Sequence, residues 1–126
     1  MECYFGSYQL PVSRDIEKSA VVIFYIPELG IKFKAPFDGV NQDHNDFASF
    51  LALLEFIDNN QKYFQKNSFE IFGNNLKIIN QINGQETIPA EFGKLFSKAK
   101  DYKKKYRFSL EWVSANNNPV FQTLFD

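Results

Sequence analysis

Three apolar runs open the chain, each of strand length and none with helical spacing. Glu2–Gln9 is rich in aromatic residues. Ala20–Ile26 (AVVIFYI) is continuously apolar, the pattern of a strand covered on both faces. Ile31–Phe37 alternates, with Ile31, Phe33, Ala35 and Phe37 on one side and Lys32 and Lys34 on the other. Pro27-Glu28-Leu29-Gly30 predicts a hairpin connection between the last two. The period then becomes helical. Phe47, Phe50, Leu51, Leu54 and Ile57 predict a helix over Asn45–Asp58, with Asp43 or Asn45 as its N-cap. After a polar loop, Asn59–Ser68, a fourth strand begins at Phe69 and stops at Gly73-Asn74-Asn75. A short helix starts at once, runs to about Asn83 and is closed by Gly84. Beyond Pro89 a third helix carries Phe92, Leu95, Phe96, Ala99 and Tyr102 on one face. Arg107–Val113 alternates as a fifth strand, with Phe108, Leu110 and Trp112 on one side, and an Asn-rich loop and tail follow. The order β-β-β-α-β-α-α-β predicts an α/β domain: a five-stranded mixed sheet, an antiparallel meander continued by helical crossovers.

Composition keeps this to one domain over residues 1–126, large enough for one core and too small for two. Hydrophobic residues make up 44% and include fifteen Phe, so the core is amply supplied. A single cysteine, Cys3, excludes a disulfide framework and a Cys-based zinc site, and is expected to be buried and inert. A single histidine, His44, leaves little room for His-centred catalysis and is assigned to the start of the first helix. No run approaches the roughly 20 apolar residues of a membrane span, and the N-terminus lacks a signal-peptide pattern, so the cytoplasm is the expected location. No cofactor is expected. Trp112 is expected in the core.

Charge changes the picture more. The net charge is −1, yet Lys94–Arg107 holds seven of the fourteen basic residues and one acid, Asp101. This third helix is a candidate phosphate-binding surface, with Lys94, Lys98, Lys104 and Lys105 as an exposed stripe and Tyr106 and Arg107 beside it. The competing reading is a solvated helix face.

The strand-to-helix corner at Gly73-Asn74-Asn75 is the most informative feature, since such corners at the C-terminal ends of sheet strands gather ligand and catalytic sites. Four local motifs, taken with the order of elements, resemble the ribonuclease H family. Phe5-Gly6-Ser7 stands where the family reads Asp-Gly-Ser. Asn45-Asp46-Phe47-Ala48-Ser49-Phe50-Leu51-Ala52-Leu53-Leu54 is similar to Asn-x-x-Ala-Glu-Tyr-x-Ala-Leu-x. The corner, from Asn74 to Gly84, is similar to Asp-Ser-x-x-Val-Val-x-Gln-Ile-x-Gly. Trp112-Val113 with Asn118 and Leu124 is similar to a Trp-Val-x-x-x-x-Asn-x-x-x-Asp-x-Leu ending.

The resemblance covers nearly the whole chain and implies a fold whose family cleaves the RNA strand of an RNA–DNA hybrid with two metal ions and four carboxylates. The matching positions here are Phe5, Ser49, Asn74 and Gln122. None is acidic, so no metal site is expected: two divalent ions bring four positive charges that neutral oxygens and a phenyl ring do not offset. Asp46, one helical turn from Ser49, Glu70, four strand residues from Asn74, and Asp38 do not restore a paired cluster. Three readings follow. The first is a catalytically inactive domain that binds nucleic acid, an RNA–DNA hybrid or duplex, through the basic helix. The second is a protein-interaction or self-associating module, motivated by Phe5, Phe121 and Phe125. The third is a nuclease with relocated acids.

Overall fold

The computed structural model describes residues 1–11, 19–64 and 68–122. Five strands form one sheet: β1 (Glu2–Gln9), β2 (Ala20–Ile26), β3 (Ile31–Phe37), β4 (Phe69–Gly73) and β5 (Phe108–Trp112), in the order β3-β2-β1-β4-β5. β1, β2 and β3 pair antiparallel, while β4 joins β1, and β5 joins β4, in parallel. Gly30, with φ of 62°, supplies the left-handed residue that follows the 3-10 turn Pro27–Leu29 and sends the chain into β3. The continuously apolar β2 buries Val22, Ile23, Phe24 and Ile26, as a strand with neighbours on both faces must. β3 is an edge strand, and its Lys32, Lys34 and Pro36 are residues that discourage pairing with another chain.

Four helices stand among the described residues: α1 (Gln42–Asn59), α2 (Leu76–Ile82), α3 (Gly93–Lys105) and α4 (Pro119–Gln122). α1 begins three residues before the expected start. Its cap is Asn41, whose side chain accepts the His44 N–H at 2.8 Å, rather than Asp43 or Asn45. The polar loop expected over Asn59–Ser68 contains a 3-10 turn at Gln61–Tyr63, and a second such turn, Ala90–Phe92, leads into α3. α4 lies where a tail was expected.

Neighbouring β1 residues point to opposite sides of the sheet. Phe5 packs on Phe50 of α1, with ring centroids 5.4 Å apart. A Cβ on Gly6 would lie 3.0 Å from Val120 Cγ2 and 3.2 Å from Phe121 Cζ, so the bare glycine lets α4 close on the other face. The core lies between α1 and the sheet, and includes Cys3, Phe24, Phe47, Leu54, Ile71 and Ile78. Among the described residues no helix is long and apolar enough to cross a membrane.

Candidate functional site

The central strands β1 and β4 bring the Phe5 ring against the backbone of Gly73. Phe5 is only 1% exposed. A Cβ at position 73 would stand 2.4 Å from Phe5 Cζ, so the ring occupies space that any other residue at 73 would need. Ser49 is buried, and its hydroxyl donates to the Asp46 carbonyl at 2.7 Å, one turn back along α1. Asn74, just beyond β4, accepts from the Asn118 side-chain amide at 2.9 Å. That amide also donates to the Phe5 carbonyl at 2.9 Å, and the Asn118 Oδ1 accepts the Val120 N–H at 3.3 Å. Buried Asn118 thus ties β1, the corner and α4 together. Gln122 is exposed at the end of α4.

Beside the Phe5 ring lies a polar network that sequence reasoning did not assemble. Asp46 is buried and accepts from the Ser7 hydroxyl at 2.5 Å and from the Gln42 amide at 3.0 Å on Oδ1, and from the Asn75 amide at 2.9 Å on Oδ2. Asn75 also donates to Asp43 at 2.9 Å while its own oxygen caps α2 through the Ile78 N–H. Asp43 pairs with Lys77 at 3.1 Å. Burial pushes the Asp46 carboxyl above its ordinary pKa, and the bonds from Ser7, Asn75 and Gln42 pull against that rise. The signal was present in the sequence: Ser7 shares the inward side of β1 with Phe5, and Asn75 sits where a helix N-cap must.

The six basic and aromatic candidates of the third helix do not gather in one place. α3 runs alongside α1 in the same direction. At its start Phe92 packs on His44 and Phe47, with centroids 5.9 and 6.2 Å apart. At its end Lys105 pairs with Asp58 at 2.6 Å, and the Tyr106 hydroxyl donates to the same carboxylate. Lys94 and Lys98 therefore lie toward the Asn75 corner. Lys104, Lys105, Tyr106 and Arg107 lie at the far end of the sheet. The 3.6-residue helical repeat also turns Lys104 about 100° away from Lys105, onto the Lys100 side.

Three single residues complete the picture. His44 sits in the first turn of α1, where its Nδ1 accepts the Val40 N–H at 3.1 Å. Burial pushes the Cys3 thiol up to about 12, so it stays protonated and inert as expected. Trp112 is 50% exposed, against the expected core position, at the last residue of the edge strand β5. Its indole N–H reaches the Asn74 carbonyl at 3.2 Å.

No family model matches the chain, and no curated protein matches it. Solved structures do. RNase H1 from the halophilic archaeon Halobacterium salinarum NRC-1 superposes with a TM-score of 0.73 over 98% of this chain and 92% of its own, at 15% identity. LC11-RNase H1, isolated from compost by a metagenomic approach, gives a TM-score of 0.76 over 98% and 90%, at 11% identity. The same enzyme in complex with an RNA/DNA hybrid gives 0.71 over 93% and 87%, at 12% identity. The chain has the ribonuclease H fold.

In that fold the resemblance puts four carboxylates at Phe5, Ser49, Asn74 and Gln122, and the donor set here does not fit a pair of divalent ions. A phenyl ring offers no ligand, the Ser49 hydroxyl is turned to a backbone carbonyl, and the Asn74 oxygen already accepts from Asn118. Asp46 has donors on both oxygens. Glu70, the second residue of the strand that ends at the corner, lies about 13 Å from Asn74. Among the described residues no three His, Cys, Asp or Glu side chains gather to hold a metal. Of the residues that motivate the interaction reading, Phe5 is core and Phe121 is half-buried, while Phe125 lies outside the described residues, as does Leu124 of the last motif.

Proposed function

We propose that this chain is a catalytically inactive ribonuclease H-fold domain of the cytoplasm that binds nucleic acid. The observation that carries the inactivity is the Phe5 ring seated on Gly73, at the position where the resemblance calls for the first carboxylate. Binding is supported by the fold, which in LC11-RNase H1 accompanies an RNA/DNA hybrid complex, and by the local excess of positive charge along Lys94–Arg107. Fluorescence anisotropy with a labelled RNA–DNA hybrid tests it. Binding at roughly 50 mM salt that weakens steeply by about 200 mM is the expected result, with the hybrid left intact in Mg²⁺ or Mn²⁺. No binding at low salt overturns the binding reading, and cleavage overturns the inactivity.

A second reading, a self-associating or protein-binding module, has its own support. An apolar groove of about 370 Å³ runs between β3 and α1, lined by Phe33, Ala35, Phe37, Leu51 and Ala52. Phe33, 37% exposed, forms part of its wall. A concentration-dependent mass in light scattering, abolished by Phe33→Lys, would favour it over the first.

A further inference from the structure

The side of the sheet away from α1 carries a row of residues that crosses all five strands. Core-facing Phe5, Phe24, Ile71 and Leu110 turn their strand neighbours Tyr4, Tyr25, Phe72 and Glu111 to that opposite side. Phe33, stacked on Phe24, does the same for Lys32. Register sets these residues side by side: Lys32 beside Tyr25, Tyr25 beside Tyr4, Tyr4 beside Phe72, and Phe72 beside Glu111. α4 closes on Gly6, two residues further along β1, and the three rings of the row stay partly exposed. The two ends of the row differ. At one end the Lys32 ammonium lies 5.7 Å from the centre of the Tyr25 ring, a cation seated on an aromatic face. At the other end Tyr4 covers one face of Phe72, with centroids 5.3 Å apart and ring planes 23° from parallel. β4 lies between β1 and β5, so the second face of Phe72 is turned toward β5, whose residues on this side are Ser109 and Glu111.

That second face has an acidic setting. Glu111 stands beside it, and Glu70, on the same side of β4 as Phe72, is the diagonal neighbour of Glu111. Both glutamates are exposed, and among the described residues neither has an ion-pair partner. Arg107 does not fill the place: it precedes Glu111 by four strand residues, about 13 Å, more than an arginine side chain spans. A planar guanidinium stacks on an aromatic ring and forks onto a carboxylate in one posture. An ammonium does this less well, and a phosphate is repelled by both acids. We propose that this face docks an arginine-bearing segment of a partner protein, one guanidinium lying on the outer face of Phe72 and donating to Glu111 and Glu70. Lys32 on Tyr25 is the same arrangement within the chain. Glu2 extends the acidic field. It lies beside Glu70, and its carboxylate accepts the Tyr4 hydroxyl at 2.9 Å, which steadies the ring that backs Phe72. The surface is separate from the β3 groove and from α3, so the inference stands independently of both readings above.

Fluorescence anisotropy with two labelled peptides of equal charge, one of Arg-Gly repeats and one of Lys-Gly repeats, tests it at about 100 mM salt. The arginine peptide is expected to bind at least roughly fivefold more tightly than the lysine peptide. Glu111→Lys should weaken it about tenfold, while Glu55→Lys, the same charge change on α1, should alter it by less than about threefold. Phe72→Leu keeps an apolar residue but removes the aromatic face, and should bring the two peptides to equal affinity. Far-UV circular dichroism and the Tm of each variant confirm folding, and Glu111→Lys, at an exposed position, decides the matter if Phe72→Leu does not fold. No binding of the arginine peptide, equal affinities of the two peptides for the unmodified chain, or equal losses from Glu111→Lys and Glu55→Lys overturn the proposal. Binding of a labelled oligothymidylate that Phe72→Leu abolishes overturns it too, because the ring then serves a nucleobase.

Discussion

The Phe5 ring lies over a backbone with no side chain to answer it, and this shape fit between β1 and β4 has a measurable signature. Gly73→Ala would force a methyl into the ring and should cost about 1–3 kcal/mol in urea unfolding. Phe5→Leu removes the atoms that collide, at a cost of roughly 1–2 kcal/mol on its own. Because the two side chains compete for one volume, the double variant should lose clearly less than the sum of the singles. Strict additivity would mean that they do not touch. Asp46 makes a second prediction at this scale. Its raised pKa means that the folded chain holds the proton more tightly than the unfolded chain does. Its contribution is therefore present at acid pH, below about 4, and is lost as pH rises through the folded value. The destabilisation caused by Asp46→Asn should accordingly be largest in acid and shrink toward neutrality. A difference that grows with pH would contradict the assignment.

At the level of elements, Asp58 fastens the end of α1 to the end of α3. Hydrogen bonds from Lys105 and Tyr106 hold its carboxyl below the usual carboxylate range. The sign is opposite to that of Asp46: this contribution is present above the unfolded value and is lost as pH falls through the folded one. Asp58→Asn should flatten the acid limb of the stability curve and leave α3 more open to proteolysis at its C-terminal end. An unchanged acid limb would sink the idea. The elements themselves were largely legible in the sequence because their cues are local. Period, the break at Gly73 and the left-handed Gly30 each act within a few residues. What was not legible depends on distant partners. Nothing near Trp112 says whether a helix covers it. No spacing rule brings Ser7, Gln42, Asp46 and Asn75 to one point, since they come from β1, α1 and the start of α2. The stripe on α3 was read from sequence as one surface, but Asp58 takes Lys105 out of it.

For the molecule as a whole, the corner and the cleft at the first residues of β4 and β5 stand at opposite ends of one sheet, and the corner carries a spectroscopic handle. Trp112, the sole tryptophan, stands half exposed beside Asn74. Its emission should be red-shifted and accessible to iodide in the free chain. Nucleic acid that fills only the distant cleft should leave that quenching unchanged, whereas a strand laid along the corner should protect the indole. Phe5, Ser49, Asn74 and Gln122 come together as a set in the sequence only through the resemblance. The ring on Gly73 was not, because sequence shows which residue stands at a position and not how far its side chain reaches.

The seating of Phe5 on Gly73 also shapes which substitutions can follow one another. An aspartate placed at position 5 would leave a void above the Gly73 backbone and turn a carboxylate toward Phe50. A side chain added first at 73 would collide with the ring. Either order descends in stability before a second change can recover it. Evolution by single steps therefore finds the pair easy to keep and hard to leave, much as a ratchet admits motion in one direction.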